Sequence, residues 1–142
     1  MKPELEKKLF EKYPLIFQGK DLPITQNLMA FGFECGDGWY FILDKLCESI
    51  QSHIDNPPYT KGEKIVIPQV IATQVKEKFG GLRFYYDGGD DEIDGMVSLA
   101  ETVAWDTCEI CGSHENMGTT SGWIKRICIN CKKDESWKQD SI

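Results

Sequence analysis

The chain has 142 residues, 41% hydrophobic and 27% charged, a balance that suits one globular domain with a real core and excludes a disordered chain. Its formal net charge is −7, from 16 Lys and Arg against 23 Asp and Glu, and no Lys/Arg-rich tail offsets that field, so bulk nucleic acid is not an expected partner. No apolar run approaches the length of a membrane span and the start, MKPELEKKLF, lacks a signal-peptide core, so the expected location is a cytoplasm with no membrane partner.

In chain order, residues 3–13 predict a first helix. Pro3 suits its first turn, Leu5, Leu9, Phe10 and Tyr13 give an apolar stripe, and Pro14 stops it. Residues 15–36 scatter Gly19, Pro23, Gly32 and Gly36 among apolar residues, which predicts irregular chain with a short strand near residues 29–33. Asp37 is placed to cap a second helix over residues 38–54. Trp39, Ile42, Leu43, Leu46, Cys47, Ile50 and Ile54 form its core stripe, with Tyr40, Asp44 and Glu48 away from it. Cys35 and Cys47 read as small hydrophobes rather than a disulfide, and His53 as a surface residue at the helix end.

Residues 57–62 predict a loop and residues 65–79 extended chain, with Pro68 at a bend and the strand proper beginning near Val70. Residues 74–87, QVKEKFGGLRFYYD, alternate with period two around Gly80-Gly81, a hairpin pattern whose glycines supply the positive φ values of a type I′ turn. With those glycines as the loop, Phe79 opposes Leu82, Lys78 opposes Arg83, Glu77 opposes Phe84, Lys76 opposes Tyr85 and Val75 opposes Tyr86. One face is then mostly apolar (Val75, Phe79, Leu82, Phe84, Tyr86), and the other collects Gln74, Lys76, Lys78, Arg83 and Tyr85. Lys78 across from Arg83 costs stability unless an anion sits near them. Two readings stand: a solvated face whose charges the acidic residues pair or screen, and an anion or nucleotide site with Tyr85 for stacking and the cations on phosphate.

After Asp87-Gly88-Gly89, residues 90–106 predict a third helix with Ile93, Met96, Val97, Ala100, Val103 and Ala104 inward and acidic residues in its first turn. Asp90, Glu92, Asp94, Gly95 and Glu101 also fall on calcium-loop spacing. Glu at the third position and the lack of an incoming helix make a capped helix the simpler expectation.

Cys108-x-x-Cys111 and Cys128-x-x-Cys131, separated by sixteen residues, carry the most specific motif. That spacing belongs to treble-clef, ribbon or knuckle zinc sites, and four thiolates leave no open position, so the expected Zn2+ is structural. A redox CxxC and an iron site are the weaker readings, and His114 is a bystander. Residues 117–122 predict a turn, residues 123–127 a short strand, and Lys125, Arg126, Lys132 and Lys133 a partner surface. The expected organisation is an α+β core over residues 1–106, a zinc module packed on it over 107–134, and a frayed polar tail over 135–142.

No GxSxG elbow, Walker loop, dinucleotide fingerprint or HExxH occurs, which leans against an enzyme, and no catalytic residue is marked. The runs GDGWY (residues 36–40), KEKFGGLRFYY (76–86), IDG (93–95) and the paired CxxC with GWIK (122–125) resemble a family of small proteins encoded in phage and prophage genomes. The resemblance spans residues 29–131. No activity is established for that family, so no site residue carries over. It implies a host bacterial cytoplasm, where small phage proteins act on host defence or host machinery.

The expected fold is therefore α+β, an antiparallel hairpin or small sheet packed on two or three helices with a C-terminal four-cysteine zinc-ribbon or knuckle module. The leading functional expectation is a non-enzymatic binding protein that captures an anionic small molecule, a nucleotide immune signal, and so counteracts host defence. Lys76, Lys78 and Arg83 would meet phosphate beside Gln74, and Tyr85 or Trp39 would stack, although Trp39 also belongs to the core stripe. The alternatives are a module that inhibits or redirects a host protein through its zinc end, and a hydrolase of the nucleotide signal. Homo-oligomerisation is left open.

Overall fold

The computed structural model describes residues 1–141, the side chain of Thr60 excepted. The fold is α+β. Three helices, α1 (Pro3–Lys12), α2 (Tyr40–Asp55) and α3 (Asp91–Trp105), accompany small sheets and a C-terminal cluster of four cysteines. The central sheet has the order β1 (Phe33–Glu34), β4 (Ile71–Lys78), β5 (Gly81–Asp87), with β1 parallel and β5 antiparallel to β4. Between them β2 (Tyr59–Thr60) and β3 (Glu63–Lys64) form a tiny hairpin over Lys61-Gly62, where the sequence predicts a loop over residues 57–62.

The apolar stripes decide the packing. Trp39, Leu43, Leu46, Cys47 and Ile50 of the second helical segment meet Ile93, Val97, Ala100 and Ala104 of α3, and Val75, Leu82 and Phe84 of the hairpin join the same cluster. A short 3-10 turn, Asp37–Trp39, precedes α2, so Asp37 does not cap the helix; its carboxylate accepts from the Lys2 amide instead. At α3 the expected cap is present: the Asp90 side chain accepts from the Ile93 amide. Phe10, Phe17 and Phe33 stack with ring centroids 5.1–5.5 Å apart and tie α1 to β1. Asp44 is not on the outer face. It is buried, accepting from the Tyr13 hydroxyl at 2.6 Å and from Lys12 Nζ at 2.9 Å. Those two donors outweigh the upward push of burial and hold its carboxyl below the ordinary range.

The hairpin closes two residues away from the expected register. Lys78 pairs with Gly81, Glu77 with Leu82, Lys76 with Arg83, Val75 with Phe84 and Gln74 with Tyr85, and a bulge at Thr73 precedes Ala72 opposite Tyr86. The turn is Phe79-Gly80, with φ values of 52° and 86°, so Phe79 leaves the apolar face and is exposed. A slip of two preserves the alternation, so the other residues keep their expected faces.

The C-terminal end also differs. The residues expected as a turn include β6 (Met117–Thr119), which pairs on one side with β7 (Arg126–Cys128) and on the other with β8 (Lys138–Gln139). The tail is therefore not frayed as far as residue 141: Trp137 is 9% exposed and donates from Nε1 to the Ile127 carbonyl. Residue 142 lies outside the described residues.

Candidate functional site

The four-cysteine centre is assembled by two short backbone devices. After α3 the chain makes a knuckle in which the Gly112 amide donates to the Cys108 carbonyl at 2.9 Å, with Gly112 at φ +80°. The second pair follows β7, whose pairing with β6 sets Cys128 opposite Met117 and sends Cys131 around a 3-10 turn. The four Sγ atoms lie within 4.8 Å of one another, Cys111 and Cys128 at 3.6 Å, and all are free thiols. A tetrahedral ion with metal–sulfur bonds of about 2.3 Å needs sulfurs about 3.8 Å apart, so the residues fit such an ion. Burial pushes the Cys108 thiol up, yet backbone hydrogen bonds at Cys111, Cys128 and Ile110 outweigh it and bring it down to about 7. His114 is no ligand; its ring sits 3.2 Å from the Thr107 hydroxyl.

The module is seated on the body through backbone and buried charge. Gly38 donates to the Glu109 carbonyl at 2.7 Å, and a Cβ on Gly38 would collide with the Cys108 carbonyl, so glycine is required where the knuckle meets the start of α2. Arg126 is buried, at 2% exposure. It donates to the Trp105 carbonyl and in a two-pronged pair to Asp140, each at 2.7 Å. It is therefore no part of a partner surface, and Lys125 is likewise engaged, 3.1 Å from Glu109 and 3.7 Å from Glu77. Lys132 and Lys133 alone of that quartet are exposed. The Lys125 ammonium serves the buried Glu109 and the half-buried Glu77, and Glu109 Oε2 has no hydrogen-bond partner among the described residues.

On the hairpin, Gln74, Lys76, Lys78, Arg83 and Tyr85 share the face opposite Val75, Leu82 and Phe84. None of the ion pairs among the described residues involves Lys76, Lys78 or Arg83. Lys76, not Lys78, lies across from Arg83. Gln74 donates to Glu34 at 3.1 Å, which places one carboxylate at the edge of this face. Gln74, Lys76, Lys78 and Tyr85 line a cleft of about 480 Å³ with residues 24–28 and Thr73. Arg83 does not line it, because its guanidinium folds back to the Leu82 carbonyl at 2.9 Å. Trp39 is removed from the site altogether: it is 0% exposed and its Nε1 donates to the Thr107 carbonyl at 3.0 Å. It joins body to module and cannot stack on a ligand.

A second cleft, of about 340 Å³, shares the same two lysines and is lined by Lys76, Glu77, Lys78, Phe79, Gly122, Trp123 and Ile124. Sequence reasoning missed it, having placed Trp123 in a strand. Its only signal was a tryptophan after glycine in a module too small to bury it; Trp123 is 79% exposed. Glu77 offers no free base there, since its carboxylate accepts from the Gly80 amide at 3.2 Å and faces Lys125.

A larger groove, about 640 Å³, lies elsewhere, between α2, α3 and the knuckle, and is mostly apolar, with Phe41, Leu99 and Val103 exposed along it. The acidic residues of the calcium spacing do not converge. Asp90 caps α3 and meets His53 at 2.8 Å, Asp94 accepts from the Tyr86 hydroxyl, and Glu101 accepts from the Phe84 amide. His53 is accordingly half-buried between Asp90 and Glu92 rather than a free surface residue. No helix among the described residues is long and apolar enough to cross a membrane. No protein-family model matches the chain, and no curated protein or solved structure matches it either.

Proposed function

We propose that this protein is a non-enzymatic binder that captures an anionic small molecule of the nucleotide class on the basic face of the hairpin. The observation that carries it is that Lys76 and Lys78 flank a cleft and neither meets a carboxylate within ion-pair distance among the described residues. Like charges crowded without neutralisation cost stability, and an arriving phosphate removes that cost while gaining charge-assisted hydrogen bonds. Tyr85, partly exposed beside them, offers a stacking face, and Arg83 would reach the ligand only by leaving the Leu82 carbonyl. The acidic body, at −7 overall, favours a small anion over a polyanion.

The reading includes Zn2+ as the ion of the four-cysteine centre, holding the module closed and taking no part in binding. Thiolate donors and near-tetrahedral sulfur spacing support it. The resemblance to phage and prophage proteins supports a bacterial cytoplasm as the setting, in which the ligand would be a nucleotide signal of host immunity and its capture would counteract defence. A second reading, inhibition of a host protein, is favoured by the exposed Phe41 and Leu99 beside the knuckle.

The test is thermal melting of the metal-loaded protein against a panel of nucleotides and inorganic phosphate. At a hundredfold excess over Kd a ligand stabilises by about 2.7 kcal/mol, a rise of several degrees for a chain of this size. The rise should vanish in Lys76→Glu/Lys78→Glu, and mass spectrometry should recover the ligand intact. Recovery of a cleaved ligand replaces capture with hydrolysis. A flat response to every anion overturns capture and leaves the protein-partner reading.

A further inference from the structure

We infer that the ligand is a dinucleotide, with its phosphates over Lys76 and Lys78 and one base in each of the two clefts that meet at those lysines. The inference rests on the capture reading above and narrows it to a ligand class. Both lysines line both clefts, so a phosphate bound by the pair is adjacent to the aromatic wall of each. One side presents Tyr85. The other presents Phe79 and Trp123, 71% and 79% exposed, with Ile124 beside them. Two large rings left mostly in water within one small cleft carry uncovered apolar area, the Lys78 ammonium 5.9 Å from the Phe79 ring centre notwithstanding, and bases stack on such rings whatever their sequence.

Cleft size points the same way. At about 340 and about 480 Å³ each is near the small end of ligand sites, roughly 300–1,000 Å³, so a mononucleotide fills one and leaves the other empty. Joining two bases through the phosphate turns the second contact into an intramolecular one. Two lysines suit one or two phosphates, and the acidic remainder of the molecule opposes a longer chain.

The experiment is calorimetric titration of the full-length, metal-loaded protein with AMP, GMP, linear pApA and linear pGpG. The better dinucleotide should bind at least about tenfold more tightly than the better mononucleotide, the effect of one added stacked base. Trp123→Ala and Tyr85→Ala should each cost the dinucleotide about tenfold, whereas the mononucleotide should respond to only one of them. Both rings are exposed, so melting temperatures and circular dichroism of the variants should match the parent. A dinucleotide no tighter than a mononucleotide that still depends on Lys76 and Lys78 overturns the two-base inference and spares anion capture. Tight dinucleotide binding untouched by Trp123→Ala overturns it as well, and no binding of any of the four removes both readings.

Discussion

The body and the C-terminal module are built on different terms. In the body one apolar cluster draws on all three helices and on β4 and β5, while the module's own cluster is Met117, Ile127 and Trp137 with two of the thiols, Cys108 and Cys128. Strands of two or three residues cannot hold a sheet by themselves, and so little buried area does not offset the ordering of the segment. The module depends on polar groups anchored in the body and on the ion its four thiols could hold, and the body depends on neither.

Removing the metal is the widest way to split the two. With a chelator, or in Cys128→Ser, amides of β6, β7 and β8 should lose their exchange protection while those of α2 near Leu46 and Ile50 keep theirs. Apparent binding energies of structural zinc in small modules are on the order of 10 kcal/mol, far more than this sheet has from packing. Retained protection of β6 to β8 in metal-free protein would mean that the contacts with the body suffice.

Next in size is the pair between Arg126 and Asp140. Asp140→Ala leaves a buried guanidinium with Thr119, the Trp105 carbonyl and ring, and the more distant Asp106 carboxylate at 3.7 Å. Since Asp140 is itself 42% exposed, the cost should be about 2 kcal/mol, below the 3–5 typical of a fully buried pair. The hydrogen bonds from Arg126, outweighing burial, hold the Asp140 carboxyl below the usual range. A lowered carboxylate contributes its full stability above the unfolded value of about 3.9 and loses it as pH falls through the folded one. The melting-temperature gap between parent and Asp140→Ala should therefore be constant from pH 7 to 5 and close below about pH 4. A gap that persists at pH 3 would show that lost packing, not charge, separates them.

What the sequence made legible follows the same division. The helices of the body announce themselves because their stripes recur every three or four residues over three or more turns, and the faces of the hairpin survive even a wrong register because a two-residue slip conserves alternation. The four-cysteine cluster is legible from spacing alone. The turn position was not, because a slip of two residues satisfies the same alternation; Gly80 sits against Trp105, Ile124 and Arg126, where a side chain would not fit easily, and Phe79 shares the turn with it. Trp137 and Asp140 read as tail because their roles exist only through β6 and a buried Arg126 far off in sequence. Arg126 itself looked like one basic residue among four, since burial of a charge leaves no local mark. The lysines were legible as a cluster, but the second cleft beside them, walled by Phe79 and Trp123, needed both the unexpected turn and the module's seating.

Phe79 gives the smallest and most discriminating test, because it belongs to the seam between the two regions. With φ at 52°, it holds a left-handed conformation that costs an L-residue about 1–2 kcal/mol and that asparagine tolerates far better. Its ring is exposed, with the Lys78 ammonium 5.9 Å from the ring centre. Phe79→Asn should therefore stabilise the protein by up to about 1 kcal/mol, read as a rise of a few degrees in melting temperature. If the same variant binds the dinucleotide more weakly, the strain is retained for the ligand rather than for the fold, as expected of a wall of the smaller cleft. A fall in stability would mean instead that the ring takes part in seating the hairpin tip on the module, and the contrast between a self-sufficient body and a dependent module would have to be redrawn at this turn.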